Sequence, residues 1–394
     1  MTNRVRAAVL HEVGGVPEIR EIELAPPAVG QVRIRLEATG VCHSDLSLAN
    51  GRLKHAMPVV LGHECAGRVV ETGVGVRELS VGDTVVLNWA PACRACWFCG
   101  HGEPYLCSNA ERGWHRAHAR LPDGTPVYPG LGVGGFAAET VVDEIACIKL
   151  PADIPLVEAA LLGCAVLTGV GAVRNAAEVR PGESVVVFGL GGVGLSAVQG
   201  ARIAGAGRII AVDPSPEKAE LARRLGATDA LEPGPDVAKR VRALCDGRGA
   251  DHAIECVGRA DTIRSAWSST RRGGHTTVVG LGAASDQLSF NALEIAHFAR
   301  TLRGCMYGSS DPATDIPLLL AAYRAGVLDL RAMVTSEITL DEVGDAFTRL
   351  AAGTGARSVV CFAGGDQRSN VAGGDQRSNV DGGDQRGEVA GEAS

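Results

Sequence analysis

Two patterns of apolar residues divide the chain. Over residues 4–40 and 59–87, short Val-rich runs are cut by glycines and polar residues, as in QVRIRLEATG and AGRVVETGVGV, with little helical period. Runs of this kind between turn residues predict strands and a β-rich N-terminal portion. From about residue 155 the pattern changes. LVEAALLGCAVLTGVGAVRNAA predicts a helix. It is followed by SVVVF, a glycine turn, a helical stretch to about 206, RIIAVD and the helical PEKAELARRLGA. Strand, turn, helix and strand in that order form a βαβ unit, which implies a parallel sheet. DHAIECVG and HTTVVGLG supply further strands, and after about 304 the pattern is mixed, closing on ARSVVCFA. The predicted fold class is α/β, a β-rich domain joined to a doubly wound parallel sheet.

The last 31 residues differ. GGDQRSNVA, GGDQRSNVD and GGDQRGEVA are three copies of a nine-residue unit, with one Val per copy. Three arginines (Arg368, Arg377, Arg386) face six acids (Asp366, Asp375, Asp381, Asp384, Glu388, Glu392). A unit so short and polar cannot build a packed solenoid, and disorder is expected over 364–394.

Composition narrows the function. A net charge of −7 without a basic block argues against nucleic acid as partner. No apolar run approaches the roughly 18 residues of a membrane span. MTNRVRAAVLHEVGG has no apolar stretch with a cleavage site, so a cytoplasmic location is expected. There, twelve cysteines suggest metal or thiolate chemistry before disulfides. Four of them are clustered, as Cys93-x2-Cys96-x2-Cys99-x7-Cys107 within PACRACWFCGHGEPYLC. That spacing lets one loop wrap a tetrahedral ion, and four thiolates fill the sphere of zinc with no place for substrate. The rival readings are four ordinary reduced cysteines or an iron–sulfur cluster, whose bacterial Cys-x3-Cys-Pro ending is absent.

Gly189-Leu190-Gly191-Gly192-Val193-Gly194 follows a predicted strand and opens a predicted helix. In that context G-x-G-x-x-G marks a tight turn whose amides approach a pyrophosphate. Asp213 ends the next strand, where a carboxylate binds adenosine ribose hydroxyls and repels a 2′-phosphate, so NAD is preferred to NADP. Lys218 stands within reach of the same ribose. A strand-end acid and a solvated lysine are the plainer readings of these two residues.

Gly40-Val41-Cys42-His43-Ser44-Asp45 and Gly62-His63-Glu64-Cys65-Ala66-Gly67 complete the set. With the four-cysteine lobe and the glycine turn, in this order over residues 5 to about 362, the chain closely resembles the zinc-dependent alcohol dehydrogenases of the medium-chain dehydrogenase/reductase family. The resemblance implies a GroES-like catalytic domain over 1–165 carrying the structural-zinc lobe 91–107. A Rossmann cofactor domain follows over 166–303, with a return to the catalytic domain over 304–363. It implies two zinc ions per chain and NAD. The catalytic zinc would take Cys42, His63 and Cys164, with one position open. Cys164 alone would read as a buried helix cysteine; a Cys rather than a Glu there points to the alcohol dehydrogenase branch.

By the same resemblance, Glu64 lies near the zinc and Asp45 orients the histidine. Ser44 receives the alcohol proton. Thr168 and Val193 flank the nicotinamide, and His43 and Arg357 bind the pyrophosphate. Many relatives end the proton relay in a histidine where this chain has Ser47. Leu53, Trp89 and Phe136 match pocket-lining positions. Leu53 and Glu111 depart from the glutathione-dependent formaldehyde dehydrogenases, which carry an acid and an arginine there. The long loop 107–136 favours a homodimer paired through the cofactor domains. The expected reaction is reversible hydride transfer between NAD and a primary (aromatic or medium-chain) or secondary alcohol. The alternatives are a thiol-adduct or polyol dehydrogenase of the family, and a catalytically silent NAD-binding scaffold.

Overall fold

A computed structural model describes residues 4–362; the expected disordered repeats of 364–394 lie outside the described residues. Its strands form three sheets. The cofactor sheet has six parallel strands in the order Asp229–Leu231, Arg208–Val212, Ser184–Phe188, Ala250–Glu255, Thr270–Val278, Thr301–Gly304. Chain order reverses direction between Ser184–Phe188 and Ala250–Glu255, which leaves a crevice beyond their carboxyl ends.

The central strand shows why its sequence is apolar throughout. Successive side chains alternate between faces. Val185 and Val187 pack with Leu195, Val198 and Ala201 of the helix Gly192–Ile203. Val186 and Phe188 pack on the opposite face with Val237, Val241 and Ala266. A sheet covered on both faces leaves no polar alternation to read.

The N-terminal strands form a closed barrel (Arg4–Leu10, Glu18–Leu24, Ala119–Arg120, Pro126–Pro129, Val59–Val60) and a seven-stranded sheet centred on Gln31–Gly40 and Glu64–Thr72. The strand Ser358–Cys361 joins that sheet beside Gln31–Gly40, pairing Val359 with Gly40. The C-terminal return therefore brings Arg357 next to Cys42, more than three hundred residues earlier.

The helix predicted over LVEAALLGCAVLTGVGAVRNAA is broken. Helix Leu156–Ala159 runs into a 3-10 turn, Ala160–Gly163; Cys164 leaves helical backbone at φ −147°, ψ −75°; helix Ala165–Gly171 resumes and widens into a π turn, Ala172–Ala176. The two halves bend by 54°. Gly163 packs so close to the strand Thr84–Leu87 that a Cβ there would stand 2.4 Å from the Leu87 carbonyl oxygen. A wholly apolar run buried on all sides carries no period from which such a break could be read. Among the described residues no single helix is long and apolar enough to cross a membrane; this bent pair matches in length and composition, but its residues are largely buried core.

His118 lies buried beside the barrel, 6% exposed, with Nδ1 donating to the Val127 carbonyl and Nε2 without a partner. Desolvation pushes its pKa down to about 4. The unfolded chain takes up this proton near pH 6.5 and the folded chain only near 4, so stability falls as pH drops through that window. Between pH 7 and 5 the loss from this one group is about 2 kcal/mol. Val127 O also accepts the His118 backbone amide, so His118→Phe leaves that carbonyl bonded. Urea unfolding of wild type and His118→Phe at pH 7 and 5 should show the wild type losing more stability by about that amount; equal losses would contradict the assignment.

Candidate active site and metal centres

Asp45 organises the first cluster. It lies in the first turn of the short helix His43–Ala49 and is 1% exposed. Oδ2 accepts the Cys42 amide at 3.2 Å, and Oδ1 accepts the Gly62 amide at 2.9 Å and contacts His63 Nδ1 at 3.0 Å. A carboxylate on Nδ1 fixes that proton there and turns Nε2 inward as a lone-pair donor. His63 Nε2, buried, has no hydrogen-bond partner. One ligand atom each from Cys42, His63, Glu64 and Cys164 lies within 4.8 Å of the others.

Charges at this point are strongly coupled. The Cys42 thiol is held well below its usual range, first by the Cys164 thiol and then, against burial, by Arg357 and His63; Cys164 is pushed up by the same contact and by burial. Burial opposes protonation of His63, but Asp45 and Cys42 outweigh it and raise its pKa. Glu64 is fully buried, and desolvation lifts it to about 8 although Arg357 Nη2, at 3.3 Å from Oε1, pulls the other way. Two thiols, an imidazole nitrogen and a buried carboxyl gathered this closely suit a divalent cation, which would displace the proton on His63 Nε2 and draw the thiols and Glu64 toward their ionised forms. Zinc fits this donor set.

The second cluster is the lobe around helix Trp97–Gly100. The thiols of Cys93, Cys96, Cys99 and Cys107 also lie within 4.8 Å of one another, with Cys96 and Cys107 sulfurs 3.9 Å apart. Four sulfurs about 2.3 Å from one ion stand about 3.8 Å apart in a tetrahedron. N–H groups point at these sulfurs: the Cys93 and Asn109 amides at Cys107, and the Cys96 amide and Asn109 Nδ2 at Cys93. The Asn109 bond, followed by backbone amides, lowers Cys93 to about 6. Amides aimed at sulfur favour thiolates, and a four-thiolate sphere is closed to substrate.

The predicted dinucleotide turn caps the central parallel strand. Gly189 has φ 85°, and a Cβ at Gly194 would stand 1.8 Å from the Gly189 carbonyl oxygen. Asp213 Oδ2 accepts the Leu190 amide at 2.7 Å and Oδ1 the Ser215 amide at 2.9 Å, so this carboxylate also braces the turn. Arg357, 4% exposed, donates to the Val41 carbonyl at 2.7 Å, and its guanidinium lies over Gly192, where a Cβ would meet it at 2.1 Å. One cation thus links Glu64 to the glycine turn. His43 is exposed but crowded; desolvation leads in lowering its pKa, against Cys42, and Arg357, Lys218 and Arg52 add to it. Arg357 thus stands at the N-terminus of the helix Gly192–Ile203, the kind of place that suits an anion. Thr168 is buried on the helix Ala165–Gly171, and a Cβ at the adjoining Gly169 would stand 2.2 Å from Val193 O, so this helix and the helix Gly192–Ile203 touch there.

Of the pocket residues, Trp89 lies at the site: its ring centroid is 6.4 Å from that of His63. Ser44 and Leu53 are half-buried nearby, Leu53 against the barrel core. Phe136 is fully buried in that same core, its ring 6.0 Å from Phe347, and its backbone and ring crowd Gly62, the residue before His63. Two residues escaped the sequence reading. Tyr307 packs against Trp89, tilted at 56° with centroids 4.7 Å apart, and Trp114 approaches Trp89 at 6.3 Å. Burial pushes the Tyr307 phenol well above its usual value, the Cys164 and Glu64 charges adding to it. No motif marks either residue; in a chain only 4% aromatic, their gathering is visible only in the fold.

The comparisons agree with this geometry. Residues 28–152 match the model of the alcohol dehydrogenase GroES-like domain and residues 192–322 that of the zinc-binding dehydrogenases. An S-(hydroxymethyl)glutathione dehydrogenase of Escherichia coli O1:K1 is 39% identical over 90% of this chain and 99% of its own. Benzyl alcohol dehydrogenase of Acinetobacter calcoaceticus superposes with a TM-score of 0.84 at 30% identity, over 91% of this chain and 99% of its own. A zinc-binding dehydrogenase of Sinorhizobium meliloti 1021 bound to NADP superposes with a TM-score of 0.78 at 25% identity, over 91% and 99%. With both domain models matched in order and the zinc ligands and glycine turn in place, the chain belongs to the zinc-dependent alcohol dehydrogenases of the medium-chain dehydrogenase/reductase family.

Proposed function

We propose that the protein is an NAD-dependent dehydrogenase of apolar primary or secondary alcohols, aromatic or medium-chain. The observation that carries this reading is the triangle of Cys42, His63 and Cys164, its His63 lone pair unpartnered and its flank walled by Trp89, Tyr307 and Trp114. Zinc held by Cys42, His63 and Cys164 would supply Lewis acidity toward an alcohol or carbonyl oxygen, and the nicotinamide would supply the hydride acceptor.

The chain's own residues do the rest. Asp45 keeps His63 in one tautomer and one orientation. Ser44, two residues beyond the N-cap Cys42, holds the substrate hydroxyl proton and passes it outward; with Ser47 in place of a histidine, His43 or water completes the path. Arg357 holds Glu64 in place and presents its guanidinium to the pyrophosphate at the glycine turn. Thr168 and Val193 are the residues that would hold the nicotinamide ring. The aromatic wall excludes water and accepts an apolar side chain. Asp213 favours NAD, because a 2′-phosphate would meet a carboxylate already committed to two amides.

A second reading is favoured by the 39% identity to S-(hydroxymethyl)glutathione dehydrogenases. Against it stand Leu53, apolar and half-buried, and the exposed acid Glu111, which would repel a glutathione carboxylate. A homodimer is part of the proposal. The cofactor sheet ends in Thr301–Gly304, exposed along its length, with Leu293, Ile295 and Leu302 exposed beside it, and an open strand edge invites pairing. The twelve cysteines, none bridged, fit the reducing cytoplasm.

The test is NADH formation by zinc-replete protein with benzyl alcohol, hexanol, ethanol, a polyol and S-hydroxymethylglutathione. Benzyl alcohol or hexanol should give the highest kcat/KM; dominance of the glutathione adduct would replace this reading with the second. Cys164→Ser should lower kcat at least about 100-fold while dinucleotide binding, followed by NADH fluorescence, stays near wild type; full activity would remove Cys164 from the ligand set. Cys99→Ser should instead lower the thermal midpoint and the zinc content of the lobe. Lost activity with an unchanged midpoint and zinc content would mean that the lobe has a chemical role.

A further inference from the structure

The segment after the edge strand carries three successive residues with positive φ: Tyr307 at 51°, Gly308 at 70° and Ser309 at 48°. Left-handed backbone at a residue with a Cβ is disfavoured and persists only where the surroundings impose it. Here they do. A Cβ at Gly308 would stand 2.6 Å from the Leu167 carbonyl oxygen, so the segment lies directly against the helix that follows Cys164. Asn175 Nδ2, in the π turn, donates to Gly308 O at 3.4 Å and Ser310 Oγ at 3.1 Å. Asp311 then receives both Nη groups of Arg94, from the four-cysteine lobe, at 2.5 and 2.6 Å. Held this way, Tyr307 is 3% exposed and turned inward. Its hydroxyl donates to the carbonyl of Gly163, the residue before Cys164.

The three thiol and imidazole donors are not anchored alike. Cys42 and His63 are both bonded to Asp45. Cys164 stands at the break between two helical pieces, at φ −147°, ψ −75°, and among the described residues no carboxylate is hydrogen-bonded to its turn. We propose that Tyr307 is a positioning residue for this third ligand: its hydroxyl pins the Gly163 carbonyl, and so fixes the break that aims the Cys164 sulfur at Cys42 and His63. Its ring also packs on Trp89, with centroids 4.7 Å apart. This inference rests on the zinc reading above and adds a determinant of metal retention outside the ligands and their carboxylate.

Tyr307→Phe keeps the ring and removes the hydroxyl. The decisive readouts are zinc release to a chromogenic chelator and the thiolate-to-metal absorption of protein carrying Co(II) in place of zinc. Wild type should release two zinc ions in two phases, the lobe phase being the one that Cys99→Ser abolishes. In Tyr307→Phe the other phase should quicken by about tenfold, and the Co(II) band should shift, with the lobe phase and thermal midpoint unchanged. A merely structural hydroxyl would move the midpoint and leave release and band alone, which would overturn the proposal while leaving the zinc reading intact. A wild type that holds only the lobe zinc would overturn the zinc reading itself.

Discussion

The fold of the catalytic half depends on one buried carboxylate. Asp45 accepts hydrogen bonds from the Cys42 and Gly62 amides and from His63, and so ties the end of one strand to the start of another. A carboxyl group at 1% exposure is tolerable only when its oxygens are hydrogen-bonded. Its satisfaction and the placement of two metal donors are the same set of contacts.

The same economy extends outward. Glu64 and Arg357 are both buried, 3.3 Å apart, in a pair whose desolvation costs much of what its attraction returns. Arg357 is brought there by the strand Ser358–Cys361, which closes the N-terminal sheet, and it lies over Gly192 at the mouth of the cofactor crevice. The metal cluster, the dinucleotide turn and the last strand thus meet at one guanidinium. A change at any of them alters the electrostatics of the others, since burial removes the water that would screen them.

What could be read from the sequence was what is local. Cys93, Cys96, Cys99 and Cys107 lie in one loop, and Gly189 to Gly194 in one turn, so spacing alone carries their chemistry. Cys42-His43-Ser44-Asp45 and Gly62-His63-Glu64 are also short motifs, but their meeting point is set by the pairing of Gly40 with Glu64 across the sheet, which no spacing states. The parallel sheet was legible because its strands alternate with amphipathic or apolar helices. The break at Cys164 was not, because a helix buried on every side has no period to interrupt. Tyr307 was missed because its importance comes from a backbone conformation that composition does not signal.

The central claim is that six thiolates and one imidazole divide between a closed and an open zinc site. Zinc K-edge X-ray absorption of the metal-replete protein tests it most directly, since it counts donors without reference to substrate. Two ions per chain should be found, with an average shell of about three sulfurs near 2.3 Å and about one nitrogen or oxygen near 2.0–2.1 Å. A single ion with about four sulfurs, or two ions averaging about two sulfurs or fewer, would contradict the account.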